Sequence, residues 1–328
     1  MSNEIDFVRL GRIFAPYSSM KRDSLLGEGK RLAHYTSAAN AMNMIQNKQV
    51  WLRNAKLMND FREIEHGFDM LVRFFQNESD DAPDVGQIEL FKTMDAMRPG
   101  LLMQAIHLFN SWAPTIREHT YVACLTEHTL RHDDTGRLSM WRGYGANDPA
   151  VAIVLNPTPF YLNTSGLGAY SSPVAYHSQD EFFEMLRSIR KAVESESDYI
   201  ATVPDQALIG VIFNSLLLYA VCQKHEGFNE EQEWRVIHVP QLHTPTLLKK
   251  GVETVRGTPQ QVQKLHFENS PDLGVVGIEI KDLVHHVIVG PAQFQGAVRE
   301  AIIDKLEGAG VPDARSRVVL SSLPLRNV

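Results

Sequence analysis

The run Ala150–Leu155, AVAIVL, constrains this chain more than any other stretch. An unbroken apolar run of this length has no solvent face, so it predicts a strand buried inside a sheet. The remaining segments are read as what must surround it. Arg31–Tyr35 predicts a first strand, and Thr36-Ser37 starts a helix over Ala38–Gln46, where Ala41, Met44 and Ile45 recur at helical spacing. Val50–Leu52 follows as a short second strand, so the chain opens strand, helix, strand. Phe68, Leu71, Val72 and Phe75 give Glu65–Phe75 a helix period, and the polar stretch Ser79–Val85 reads as a loop. Ile88–Trp112 predicts two helices broken or kinked at Pro99-Gly100. Helices are expected over Gln179–Ile200, Asp205–Gln223 and Gly296–Gly308. Strands are expected at Thr120–Leu125, Val174–Tyr176, Glu233–Val239, Leu265–Glu268, Val275–Ile280, His286–Val289 and Val318–Leu320. No repeat and no low-complexity linker divides the chain, which predicts one α+β domain over residues 1–328 with helical insertions at about 65–112 and 179–223.

Charge and cysteine usage narrow the function. A net charge of −7 repels polyanions, which argues against nucleic-acid binding through bulk charge and leaves only a local basic groove. Cys124 and Cys222 are far apart and form no CxxC, so each is expected as a small core residue. The N-terminal MSNEIDFVRL has no basic segment leading into an apolar one, and the longest apolar run, Ala207–Cys222, falls short of a membrane span of about 20 residues. The expectation is a cytoplasmic protein with no membrane partner; oligomeric state leaves no mark in the sequence.

Four constellations carry candidate chemistry. His34-Tyr35-Thr36-Ser37 ends a strand and opens a helix, where side chains and unpaired N–H groups meet at a sheet edge. The bland alternative is a plain N-cap. Asn59-Asp60 with Glu63 reads better as a structural turn or capping box. Ser139–Gly145, SMWRGYG, places Trp141 and Tyr144 among glycines at a strand entry, suited either to stacking a planar ring or to core packing. Lys224–Phe228, KHEGF, leads to Glu231-Gln232-Glu233-Trp234-Arg235. If extended, that stretch puts Glu231, Glu233 and Arg235 on one face, and two close carboxylates disfavour joint ionisation unless a cation is near. The alternative is an exposed edge where Glu233 and Arg235 pair. Weaker signals fall away. Glu279-Ile280-Lys281 fits only the end of a nuclease E-x-K pattern, His285-His286 lacks further ligands at metal spacing, and no GxGxxG, P-loop or GxSxG string occurs.

Taken together, HYTS, LMND with Glu63, SMWRGYG, KHEGF and EQEWR resemble a bacterial family known as domain of unknown function 2971, over roughly Leu32 to Leu325 and including the ending VIVGP and VVLSSLPL. A second, more distant resemblance is to the ADP-ribosyltransferase fold, carried by the order of a His-bearing strand, a Tyr-bearing middle segment and a late strand opening Glu-x-Glu. That resemblance implies split small β-sheets around a cleft that holds NAD as substrate. It implies that His34, with Tyr35 and Thr36, seats the cofactor through a ribose hydrogen bond, and that Tyr144, alone or with Trp141, stacks on nicotinamide, a role open to Tyr35 as well. It implies Glu233 as the catalytic residue and Glu231 as the group orienting an acceptor, protein or nucleic acid, with no metal required. The expected function is an NAD-dependent ADP-ribosyltransferase or NAD glycohydrolase, in the manner of a toxin or phage-defence effector. Two alternatives stand beside it: a non-catalytic ligand-binding or interaction protein on the same scaffold, and a metal-dependent nuclease.

Overall fold

The computed structural model describes residues 5–58, 64–76, 85–145, 148–161, 166–242 and 247–324. They fall into two compact units, each assembled from three separate chain segments.

The first unit (residues 1–23, 55–120 and 172–229) contains the helices Phe7–Phe14, Glu65–Gln76, Val85–Met97, Leu101–His119, Gln179–Ser195, Ser197–Thr202 and Asp205–Val221. Both predicted helical insertions lie in it. The expected break at Pro99-Gly100 is present: Gly100 adopts φ 73°, and its N–H donates to Asp95 Oδ1 at 2.7 Å. Asp205–Val221 is apolar all round because it is enclosed, burying Leu208, Ile212, Phe213, Leu216, Leu217, Ala220 and Val221. Gly67 is where the helix Glu65–Gln76 meets it, since a Cβ there would lie 2.3 Å from the Ala220 carbonyl oxygen. No helix among the described residues is long and apolar enough to cross a membrane.

The second unit (residues 24–54, 121–171 and 230–328) is built on a sheet. Its strands are β1 (Arg31–Ser37), β2 (Gln49–Asn54), β3 (Tyr121–His128), β4 (Ala150–Leu155), β5 (Tyr170–Pro173), β6 (Glu233–His238), β7 (Leu248–Val255), β8 (Thr258–His266), β9 (Val284–Val289) and β10 (Val318–Leu320). They run in the order β10-β9-β4-β1-β3-β2-β8-β7, with β6 also paired to β3, and β5 to β6. All the pairings with a described register are antiparallel except β9 with β10. The AVAIVL strand, β4, lies between β1 and β9 and is buried along its whole length. Val151, Ile153 and Leu155 enter one core cluster together with the helices Ala38–Asn47 and Gln295–Gly308. Ala150, Ala152 and Val154 enter another with Tyr35 and Trp141. The unbroken apolar run is thus the signature of a strand covered on both faces.

Two local expectations are corrected. Val275–Ile280 is not a strand: Gly274 and Gly277 take φ 69° and 74°, turning the chain into the short helix Ile280–Leu283. SMWRGYG is not a strand entry but lies largely in the helix Leu138–Tyr144. Lys249 and Lys250, both exposed, lie in the hairpin β7–β8, whose first strand was not expected; it is closed by Arg256-Gly257 with φ 50° and 80°, the left-handed pair that a two-residue turn of this kind requires. Its outward residues are mostly polar, Val252 aside, so the hydrophobic pattern did not disclose it. The expected α+β class holds, with a mostly antiparallel open sheet.

Candidate functional site

The strand β3 carries neighbours on both edges. Thr126 pairs with Glu233 on β6 and with Ala33 on β1, and Tyr121 and Val122 pair with β6 and with β2. A strand has two edges, so β1 and β2 share the one opposite β6. They take different parts of it: β1 residues 126–128, β2 residues 121–122. Between them, residues 123–125 have no strand partner on that edge among the described residues, and the sheet divides there.

His34 sits at this division. Its Nδ1–H donates to the Cys124 carbonyl oxygen at 2.9 Å, which leaves Nε2 as the acceptor of the neutral ring. Burial pushes its pKa below the ordinary histidine value, against the Cys124 carbonyl, which favours the charged form. The neutral ring is therefore the resting state near pH 7.

On β6, Glu233 and Arg235 are buried together, with Arg235 0% and Glu233 4% exposed. Arg235 Nε donates to Glu233 Oε1 at 2.9 Å. Strand alternation places both on the face shared with their partners Thr126 and Cys124. Trp234 turns to the other face, where it packs in the larger core cluster and its Nε1–H donates to Glu127 Oε1 at 3.1 Å. Arg53 on β2, opposite Val122, shares the Glu233 face and donates from Nε to Gln260 Oε1 at 3.3 Å. Its pKa is pushed down first by burial and then by the charge of Arg256, while Cys124 and Tyr144 oppose the shift. Arg256, Cys124 and Tyr144 are thus each within electrostatic reach of Arg53.

The sequence-predicted residues separate into three groups. Glu233, buried, lies beside the Arg235 guanidinium, and Tyr144, 42% exposed, acts electrostatically on Arg53. Tyr35, Thr36 and Trp141 are core residues. The Tyr35 hydroxyl accepts from the Arg137 N–H at 2.9 Å, and burial pushes its pKa up to about 12. Trp141 meets Tyr35 edge-on at 4.9 Å and donates from Nε1 to the Thr135 carbonyl at 2.7 Å. Its ring lies so close to Gly136 and Gly290 that a Cβ would sit 2.4 and 2.7 Å from it. Thr36 is buried, and Ser37 is the N-cap of the next helix, accepting from Asn40 N–H. His34 and Glu231 form the third group. Alternation along β1 turns His34 to the face opposite Ala33, Tyr35 and Glu233, and its bond to the Cys124 carbonyl ties it to the division of β3.

Glu231 departs from the extended reading. It ends a 3-10 turn over Glu226–Glu231, and Gln232 adopts φ 43° before the strand begins. The left-handed residue removes Glu231 from the register it would have shared with Glu233 and Arg235. The pairing of Glu233 with Arg235 is buried and not an exposed edge. Lys224 is buried in the first unit with its Nζ over the Phe228 ring at 4.6 Å. Glu279 and Lys281 form an ion pair with each other at 3.1 Å, both exposed. Asn59, Asp60 and Glu63 lie outside the described residues. Sequence reading missed Arg53, Cys124 and Gln260, which come from three strands and share no local pattern.

Residues 140–236 match the model of a family described as Protein of unknown function (DUF2971), less than a third of the chain. The match supports the first of the two resemblances, and its span takes in Trp141, Tyr144, Glu231, Glu233 and Arg235. No curated protein and no solved structure matches the chain.

Proposed function

We propose that the Glu233 face of this sheet, beside the division of β3, is the active face of an NAD-consuming enzyme, an ADP-ribosyltransferase or NAD glycohydrolase. The observation that carries the reading is a buried carboxylate, held by the Arg235 Nε–H at 2.9 Å, on the strand next to that division. Breaking the bond between nicotinamide and ribose builds positive charge on the ribose carbon. A carboxylate already fixed in position stabilises that charge more in the transition state than in the ground state. The bond from Arg235 fixes the Glu233 carboxyl group in place, so little reorganisation accompanies the reaction. Tyr144 supplies the exposed ring for stacking on nicotinamide, in place of the enclosed Trp141 and Tyr35. Arg53 and Arg256 put positive charge on the side where a diphosphate would lie. His34 reaches the ribose from the gap through Nε2. Water or an acceptor nucleophile then takes the ADP-ribosyl group, and its proton is released as nicotinamide leaves.

Two features favour a second reading, a non-catalytic ligand-binding protein on the same scaffold. His34 and Glu233 stand on opposite faces of the sheet, and Glu233 is already neutralised by its own neighbour. Incubation with NAD separates the two. The enzyme reading expects free nicotinamide from the wild-type chain and about 10²–10³-fold less from Glu233→Gln. Wild-type protein that binds NAD in calorimetry and releases no nicotinamide with protein and nucleic-acid acceptors present supports the binding protein. Absence of NAD binding removes the basis of both.

A further inference from the structure

A second polar cluster in the sheet unit has no part in the reaction proposed above. His128 ends β3, Asp133 follows the short turn Leu130–His132, and His286 lies on β9. His128 Nε2 is 2.8 Å from Asp133 Oδ1, and His286 Nε2 is 3.8 Å from the same oxygen. One ligand atom from each of the three lies within 4.8 Å of the others. Histidine nitrogens on a tetrahedral zinc ion at about 2.0–2.1 Å stand about 3.4 Å apart, so the three atoms need only small movements to share one ion.

Hydrogen bonding singles the cluster out. Both histidines are buried, with His128 1% and His286 8% exposed, yet His128 Nδ1 and His286 Nε2 have no hydrogen-bond partner. Buried imidazole nitrogens are ordinarily satisfied. His286 Nδ1 lies 2.7 Å from His285 Nδ1. One of those nitrogens must donate and the other accept. If His286 donates, its Nε2 carries a lone pair directed toward Asp133, and His285 acts as the outer partner that fixes the tautomer of a metal-bound histidine. Arg31 Nη1, 3.5 Å from Asp133 Oδ2, orients the carboxylate from behind. His177 Nδ1 and His238 Nε2 are also unpartnered, but no other group of three potential ligands occurs among the described residues.

We propose that His128, Asp133 and His286 bind a divalent first-row transition ion, zinc or a close analogue, through two imidazole nitrogens and one carboxylate oxygen. The ion takes the place of the proton between His128 Nε2 and Asp133 Oδ1, and the neutral ring carries that proton on Nδ1 instead. Asp133 is only partly buried, which leaves the fourth position to water or a ligand atom. Three protein ligands with an open position are the composition of a reactive site, whereas closed structural zinc sites use four. Nitrogen donors select a transition ion over magnesium or calcium.

The test titrates Zn²⁺ into the chelator-stripped full chain by calorimetry, with Mg²⁺ as the contrast. Saturable uptake of one equivalent is expected, at least about 100-fold weaker in His286→Ala and Asp133→Asn, each checked for native circular dichroism. Co²⁺ in the wild-type chain provides a readout independent of variant folding: two hyperfine-shifted imidazole N–H signals are expected, one from each ligating histidine. No saturable Zn²⁺ uptake, tighter Mg²⁺ than Zn²⁺ binding, uptake unchanged in both folded variants, or Co²⁺ shifts from any other number of histidines would overturn the site.

Discussion

Two buried polar clusters share one sheet and are held in opposite ways. Around β6, Glu233 and Arg235 answer each other, the adjacent Trp234 donates to Glu127, and Arg53 donates to Gln260. Around Asp133, two buried histidines each keep a nitrogen without a partner. The first cluster is complete as a structural element, so its charges are fixed before any ligand arrives. The second carries an unmet desolvation cost, of order 1–3 kcal/mol per unsatisfied group, and an ion bound at His286 Nε2 would remove that nitrogen's share. A satisfied buried pair does not by itself point to a ligand, whereas an unsatisfied one asks what completes it.

The largest effect should come from breaking the complete cluster. Arg235→Ala leaves the Glu233 carboxylate buried without its cation and should lower unfolding free energy by about 3–5 kcal/mol, read from denaturant midpoints. Replacing both residues by leucine should recover most of that loss, since the buried charge goes with its partner. A similar loss in the double variant would show that the surrounding backbone, not the charge pair, sets the stability.

Next in size is the separation of the two glutamates. Glu233→Gln should reduce nicotinamide release and target labelling together, by about 10²–10³. Glu231, outside the strand register, should affect target labelling alone when changed to Gln, with stability altered by less than about 0.5 kcal/mol. Equal loss of nicotinamide release in both variants would contradict the division of roles. Loss of melting temperature in both, without chemistry, would return the pair to a purely structural role.

The incomplete cluster should break more gently. In the metal-free chain His286→Leu removes an unpartnered buried nitrogen together with the bond of Nδ1 to His285, and should cost no more than about 1.5 kcal/mol, despite burial comparable to that of Glu233. With zinc bound to the wild type, the same substitution should cost more, by the binding free energy forfeited. Thermal melts with chelator and with zinc check both halves.

The smallest effect concerns His34. Its folded-state pKa lies below the ordinary 6.5 because burial disfavours the charged ring. The unfolded chain therefore binds the proton more readily as pH falls below that value. The stability this group contributes is present in full above pH 6.5 and fades as pH drops toward its lowered folded-state pKa. Melting temperatures from about pH 7.5 to about pH 5 should decline less steeply in His34→Gln than in the wild type. An unchanged slope would mean that the ring is not neutral in the folded protein.

Much of the fold was legible from local pattern. Asp205–Val221 was read as a buried helix from its apolar run, and the break at Pro99-Gly100 from backbone chemistry. The hairpin β7–β8 escaped because its exposed strands lack an apolar stripe. The candidate site was legible only in part. Glu233 and Arg235 were recognised as neighbours two residues apart, but their burial depends on what β3 and the remaining sheet place over them. Gln232 could not be read as left-handed, since the residue has no preference for that conformation. Trp141 and Tyr35 look the same in sequence whether they stack on a ligand or on each other.

The sequence by itself determined that AVAIVL would lie in the middle of a sheet, because six apolar side chains on alternating faces leave no side for water. It also determined that Ser37 would cap a helix and that Glu233 and Arg235 would stand within reach of each other. Tertiary structure alone decided that β1 and β2 share one edge of β3, that His34 faces away from Glu233, and that His128 and Asp133 meet His286. Strand pairing sets these relations through register and crossover, which join residues far apart in the chain. Periodicity within a segment carries no information about which distant segment will lie beside it.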